Sequence, residues 1–268
     1  MIMKPVKNEK FMTSSSLVRN FHALGLQPGD NVLVHSSLSS LGRVAGGAQT
    51  VVSALLEAVG PCGTLMMPSF QKGGEYGLLA AGVVFDVRVS PSEQGLITET
   101  FRKMPGVVRS LSPTHCMAAF GKNADKLLEG HENCVVSCGK GSPFEKLIQL
   151  DGKILLIGVA NSVNTTLHYV ENINGAPTIS RDCFKPVIID MEGKSRIVPT
   201  YAHMPGLMRR YDRVEGEFIS KGIQKSGRVG TAACELINAR KMAAYLAKRI
   251  RKDPLYLIEV FYLRRNHY

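Results

Sequence analysis

Long apolar runs are missing from this chain of 268 residues, and with them the class of protein they build. No stretch approaches the ~20 residues that a helix needs to span a bilayer, so no membrane partner is expected. The start, Met1-Ile-Met-Lys-Pro-Val-Lys-Asn-Glu-Lys10, carries charge but leads into no apolar segment of signal-peptide length. That sets the expectation of a cytoplasmic protein. Metal-ligand spacings are missing too. The six cysteines, Cys62, Cys116, Cys134, Cys138, Cys183 and Cys234, form no C-x-x-C and no Cys/His pair with ligand spacing. A chain of this length needs no disulfide staples, so free thiols and no metal are expected. Nucleotide signatures are equally scarce. G-x-G-x-x-G is absent, and Gly139-Lys-Gly-Ser142 lacks the full P-loop spacing, so neither dinucleotide nor nucleoside-triphosphate binding is supported.

Acidic residues are the scarce charge: 22 Asp and Glu stand against 33 Lys and Arg, a net +11. Such a surplus attracts polyanions, whether nucleic acid, anionic lipid or a phosphorylated cofactor. Much of it lies late, at Arg240, Lys241, Lys248, Arg249, Arg251, Lys252, Arg264 and Arg265. Residues 238–252 also have helical apolar spacing at Met242, Tyr245, Leu246 and Ile250, so the run reads as the solvated face of a C-terminal helix. A nucleic-acid patch is the rival reading. No helix-turn-helix, zinc finger or aromatic RNA-binding signature accompanies it, so no nucleic-acid partner is expected.

What is present is ordinary globular material, 44% hydrophobic and 21% charged. Residues 14–25 read as a helix capped by serines and ended by Gly25. Residues 31–34 and 64–67 read as buried strands on either side of a helix through Val51, Val52, Leu55, Leu56 and Val59, which implies a parallel pair. Short helices are expected at 123–128 and 142–148, a strand at 154–159, a β-hairpin from 186–189 and 195–198, and a late strand at 256–261. Together these argue for an α/β fold: a layered α/β/α domain around a mixed, largely parallel sheet with an added β-hairpin. One domain spans 1–268, with 1–12 as a flexible lead and 262–268 as a tail.

The strand at 154–159 runs into Asn161-Ser-Val-Asn-Thr-Thr-Leu-His168-Tyr-Val-Glu171. Thr165 or Thr166 is placed to cap a helix carrying His168 and Glu171 on one face, three residues apart. A histidine held by a carboxylate beyond the end of a central strand is the arrangement of a general base. The spacing equally suits a helix N-terminus with an incidental histidine and a dipole-complementing Glu. It also suits one half of a metal site, though no second pair with ligand spacing exists. The loop from His35-Ser36-Ser37-Leu38-Ser39 to Gly47 leaves the first strand and enters a helix, where α/β proteins present backbone N–H groups to anions. Its hydroxyls fit a pyrophosphate or pantetheine cradle; a tight loop packed for its own sake has the same composition. Residues 85–116 are dense in turn and charged residues without a core period and read as functional loops. Cys116 beside His115 suggests a thiol nucleophile, but sequence neighbours on a strand point apart, and a buried structural Cys is the better reading.

Several motifs resemble the aminoglycoside 3-N-acetyltransferase family, in order and spacing, from about Leu17 to Arg240. They are Val34-His-Ser-Ser-Leu-Ser-Ser-Leu-Gly42, Gly46-Gly47, Gly63-Thr-Leu-Met-Met-Pro68, Phe85-Asp86 with Ser90-Pro-Ser92, and Phe101-Arg102. Further along come Pro105-Gly-Val-Val-Arg-Ser110, Ala118-Ala-Phe-Gly121, Gly141-Ser-Pro-Phe144 and Asn164-Thr-Thr-Leu-His-Tyr-Val-Glu171. The resemblance implies acetyl-CoA as co-substrate, a fold distinct from the GNAT fold, and His168 with Glu171 as the catalytic pair acting by direct transfer. It places His35, Ser36, Ser37, Leu38, Ser39, Gly47, Ser110, Ser142, Pro143 and Phe144 near coenzyme A. It puts Asp86, Glu93 and Glu99 beside a small-molecule amine acceptor, an aminoglycoside or related amino sugar. Many members read Arg-Ser-x-His-Pro-x-x-Ser; here Ser112 and Cys116 replace the His and the final Ser, and His115 is extra. Polycationic aminoglycosides call for carboxylates, so the +11 chain also suits acylation of a sugar nucleotide or another anionic amine.

Overall fold

The computed structural model describes residues 11–259. In chain order the first half gives α1 (Ser14–Leu24), β1 (Asn31–Ser36), α2 (Gly47–Val59), β2 (Thr64–Pro68), α3 (Glu75–Ala80), β3 (Val84–Asp86), α4 (Leu96–Arg102), β4 (Val108–Arg109), β5 (Met117–Gly121) and α5 (Ala124–Leu128). The second half gives α6 (Pro143–Gln149), β6 (Lys153–Ile157), α7 (Thr166–Ile173), β7 (Ile179–Phe184), β8 (Val187–Ile189), β9 (Ser195–Ile197), β10 (Thr200–His203), α8 (Glu215–Ser220), β11 (Gln224–Val229), β12 (Ala232–Asn238) and α9 (Ala239–Lys252). Single-turn helices at Leu38–Leu41, Asn161–Val163 and Tyr211–Val214 matter for the site.

The main sheet has seven strands in the order β11-β12-β6-β1-β2-β5-β4. Its centre, β6-β1-β2, is parallel, and antiparallel strands flank it on both sides. The mixed sheet expected from the sequence is present, and its parallel part is the middle. Alternation along the central strands divides the core in two. Leu33, Met66, Ile154, Leu156 and Ile237 face a layer with Phe144, Leu167, Met242 and Leu246. Val32, Val34, Leu65, Met67, Leu155 and Ile157 face Leu17, Phe21, Val51 and Leu55 on the other side. Buried on both faces, these strands need no polar alternation, which is why they read as continuous apolar runs. The expected hairpin forms as β8 and β9, with Val187 opposite Ile197, and β3 joins it in a second, three-stranded sheet. A third sheet pairs β7 with β10.

Several expectations are corrected. The cap of α1 is Thr13, in a capping box with Ser16, rather than a serine. Gly25 does end that helix in the left-handed region, φ 119°. In the 85–116 region read as loops, the chain instead forms β3, α4 and β4, pieces too short to carry a period. The late strand at 256–261 is a turn closed by a single bridge from Ile258 to Arg209, and 260–261 lie outside the described residues. The tail at 262–268 and most of the lead at 1–12 lie outside them too; Met12 is described and bridges Val44.

Candidate active site

Two loops leave the carboxyl edge of neighbouring parallel strands, β1 and β6, and a small cavity lies between them. After β6 the chain makes the turn Asn161–Val163 and enters α7. Neither threonine caps this helix: Thr165 makes no cap bond, and the Asn164 side chain accepts from Thr166 N at 3.2 Å instead. The helical face is as expected, with His168 and Glu171 adjacent. Glu171 is fully buried, and its Oε2 lies 3.4 Å from His168 Nδ1. No local pattern pointed to the group between them. Tyr211 OH stands 2.8 Å from His168 Nδ1 and donates to Glu171 Oε2 at 2.5 Å. Since that hydroxyl commits its proton to the carboxylate, it accepts from His168 Nδ1–H, which leaves the Nε2 lone pair free. His168 Nε2 has no protein partner among the described residues, and the side chain is 26% exposed. Arg209 Nε donates to the same Glu171 oxygen at 3.3 Å.

Burial lowers the pKa of His168 to about 4 against the pull of Glu171, so the imidazole is neutral at physiological pH. Burial raises that of Glu171, but His168, Arg209 and Tyr211 outweigh it and the net shift is downward. Burial and the Glu171 charge push the Tyr211 phenol far up, keeping its proton in place. The group is a neutral base whose positive form would be stabilised by an ionised carboxylate.

After β1 the chain turns through Leu38–Leu41 and enters α2 by two glycines with positive φ, Gly46 at 77° and Gly47 at 60°. No side chain caps this helix. A cleft of about 540 Å³ opens there, lined by Ser36, Ser37, Leu38, Ser39, Gly42, Val44, Gly47 and Gly95. Ser36 also belongs to an inner cavity of about 180 Å³ with His35, Phe70, Thr98 and Thr165, which reaches the start of α7. His35 lies at the end of β1, and burial lowers its pKa to about 4. Hydroxyls, backbone N–H groups and a helix N-terminus suit a pyrophosphate-bearing ligand.

Other candidates lie elsewhere. Ser110 is buried, bonded to His131 Nδ1 and to Met117 N, both at 2.8 Å. Ser142, Pro143 and Phe144 begin α6 inside the core. None of these four lines the cleft at Ser36–Ser39. Asp86 clamps Arg88 at 2.7 Å, Glu93 accepts from Lys72 N at 2.7 Å, and Glu99 pairs with Arg102 and Lys103. Each of these carboxylates is engaged by its own cationic or backbone partner. Cys116 is fully buried, with its thiol against Ser110 O and its pKa raised by burial, so it is structural. Among the described residues no group of His, Cys, Asp or Glu is arranged to hold a metal.

Fold and site together define an α/β enzyme that presents a carboxylate-backed imidazole beside an anion-receptive cleft. More specifically, the chain belongs to the aminoglycoside 3-N-acetyltransferase family, whose pattern it matches over residues 33–251. Aminoglycoside N(3)-acetyltransferase III of Acinetobacter baumannii is 30% identical, over 91% of this chain and 94% of that protein. The SPbeta prophage-derived aminoglycoside N(3')-acetyltransferase-like protein YokD of Bacillus subtilis (strain 168) is 32% identical, over 88% and 91%. Among solved structures, a mutant of aminoglycoside acetyltransferase AAC(3)-IVa in complex with a gentamicin superposes with a TM-score of 0.81 at 29% identity, covering 94% of this chain and 93% of that one. AAC-IIIb, solved as a binary complex with CoASH, gives 0.80 at 25% identity over 91% and 97%.

Proposed function

We propose that this protein transfers the acetyl group of acetyl-CoA directly to an amine of an aminoglycoside, at the 3-N position, or of a related amino sugar. The observation that carries the reading is the His168 imidazole, neutral, fixed through Nδ1 by Tyr211 and Glu171, one turn along the helix from Thr165, which lines the inner cavity. In the cleft, Gly47 and the Ser36–Ser39 turn hold the donor, and its acetyl end passes Ser36 toward Thr165. His168 Nε2 takes a proton from the acceptor amine as nitrogen attacks the thioester carbon. The C–N bond forms, the tetrahedral oxyanion is met by backbone N–H groups or hydroxyls of the Ser36–Ser39 turn, the C–S bond breaks, and the thiolate recovers the proton from His168. Glu171 stabilises the imidazolium between these steps. No cysteine enters: the buried thiols have raised pKa values.

A second acceptor class, an anionic amine, is favoured by two observations, the net charge of +11 and the separate pairing of Asp86, Glu93 and Glu99. One assay tests both. CoA release is followed with aminoglycosides, amino sugars and sugar nucleotides at rising ionic strength, for the wild type and His168→Ala. The variant should lose ~10²–10⁴ in rate while still binding acetyl-CoA. Repulsion is screened by salt, so aminoglycoside turnover that improves with salt supports the anionic class, and turnover that weakens restores the aminoglycoside. A folded His168→Ala with normal turnover removes the base.

A further inference from the structure

A second set of ionisable side chains packs against the same imidazole. Glu75, in the first turn of α3, has a side chain only 7% exposed. Its Oε2 accepts from the backbone N–H of His203 at 2.8 Å and from His203 Nδ1. Its Oε1 accepts from the Thr114 hydroxyl at 2.9 Å and lies 3.3 Å from His115 Nδ1. The other nitrogen of His203, Nε2, sits 3.1 Å from the Asn172 amide nitrogen. That amide cannot be turned round, because Nδ2 also donates to Cys138 O and Oδ1 accepts from the Thr178 hydroxyl. His203 is therefore a neutral imidazole with its proton on Nδ1. Its ring centroid is 4.5 Å from that of His168, and His115 stands 6.0 Å from His203 and 6.5 Å from His168.

The groups that act on His168 come from several elements: Glu171 from its own helix, Tyr211 from the segment after β10, His203 from β10 and His115 from the loop before β5, with Arg209, Glu75 and Cys138 behind them. Their charges close in pairs. Glu171 is matched by Arg209, and Glu75 by His115. Burial opposes a charge on His115, but the Cys138 contact and the Glu75 carboxylate outweigh it and raise that imidazole above the usual histidine range; with the Cys138 thiol itself pushed up by burial, Glu75 is the charge that acts at neutral pH. Without a cation there, Glu75 would be an uncompensated buried carboxylate behind two imidazoles in ring contact, and it would draw a proton onto the face that must stay basic.

We propose that His115 is the resident counter-ion of Glu75 and a positioning residue that lowers the pH at which His168 takes up a proton. The inference rests on His168 as the base of the proposed reaction. It acts through two contacts. The His115 imidazolium cancels the Glu75 charge, and the Glu75 bridge pins the His203 ring against His168 in a single tautomer. Chemistry at the thioester is untouched; what His115 sets is the pH at which the base is available.

The test compares pH profiles of kcat/KM for the wild type, His115→Asn and the longer His115→Gln. Removal of the cation should move the acid limb up by about half to one pH unit. The resulting deficit should grow to roughly 3–10-fold as pH falls through about 4 and should close by about pH 6.5. Loss of packing alone lowers activity at every pH, so an unmoved limb, with or without a uniform deficit, overturns the proposal. A measurement on the wild type decides even where neither variant folds. Nitrogen NMR of the His115 ring near pH 8 should find both nitrogens protonated, and a neutral ring overturns the inference without touching the assignment of the base. Turnover by a folded His168→Ala, in contrast, sinks the base and this inference with it.

Discussion

Tyr211 is the residue on which the site turns and the one that sequence reasoning could not reach. His168 and Glu171 were legible because residues three apart on one helix share a face. Tyr211 arrives from 43 positions away and Glu75 reaches His203 across 128, so only tertiary packing brings them in. No local periodicity marks either. The family resemblance likewise named the helix and was silent about its partners. Tyr211→Phe deletes the hydroxyl between base and carboxylate while keeping the ring. His168 then loses its fixed tautomer, and Glu171 keeps only the Arg209 contact and the 3.4 Å approach of His168. Turnover should fall by about 10–100-fold with the KM for acetyl-CoA nearly constant, since the donor cleft is untouched. Unfolding should become easier by about 1–3 kcal/mol, because a buried carboxylate loses a donor. Steady-state kinetics and a thermal melt check both parts. A Phe variant with full kcat would leave Tyr211 a packing residue.

Among elements, β1 and β6 decide where the chemistry falls. Both read from sequence as apolar runs, as did β2 and the amphipathic α1, α2 and α9. The strands β11 and β12 did not, because Gln224–Val229 is mostly polar and exposed along its middle and gains its place by pairing with β12. β3 was invisible for a different reason, since three residues carry no period. The cradle depends on the end of β6. Gly158 has φ +62°, and a Cβ there would lie 1.8 Å from Ser40 Oγ and 2.3 Å from Ser40 Cβ, inside the turn that shapes the donor cleft. Gly158→Ala must push the Leu38–Leu41 turn outward. Its expected signature is a raised KM for acetyl-CoA, a smaller change in kcat, and a loss of about 1–3 kcal/mol from strain and overpacking. Unchanged KM in a folded variant would mean that the turn does not hold the donor.

At the scale of the whole molecule, histidines govern the response to acid. Burial holds His35, His131 and His168 each at about 4, so the fold keeps them neutral while the unfolded chain protonates them near 6.5. Their contribution to stability is complete above 6.5 and is lost as pH falls toward 4, at up to ~1.4 kcal/mol per pH unit for each. His115 works in the opposite sense. Its raised value adds stability that is complete below 6.5 and disappears as pH rises through the folded value, so it leaves the slope of the acid loss unchanged. Urea midpoints measured from pH 7 down to about 4.5 should decline steadily, and a flat profile would contradict the burial of these rings. The basic surplus follows the same division between interior and surface: α9 buries Met242, Leu246 and Ile250 and leaves Lys241, Lys248, Arg251 and Lys252 exposed, as its spacing foretold. The ladder between β1 and β6, with Ser36 opposite Ile157 at its carboxyl end, makes the turn proposed to hold the donor and the helix that carries His168 two tools mounted on one jig. Flexing of the sheet carries both together and preserves their separation.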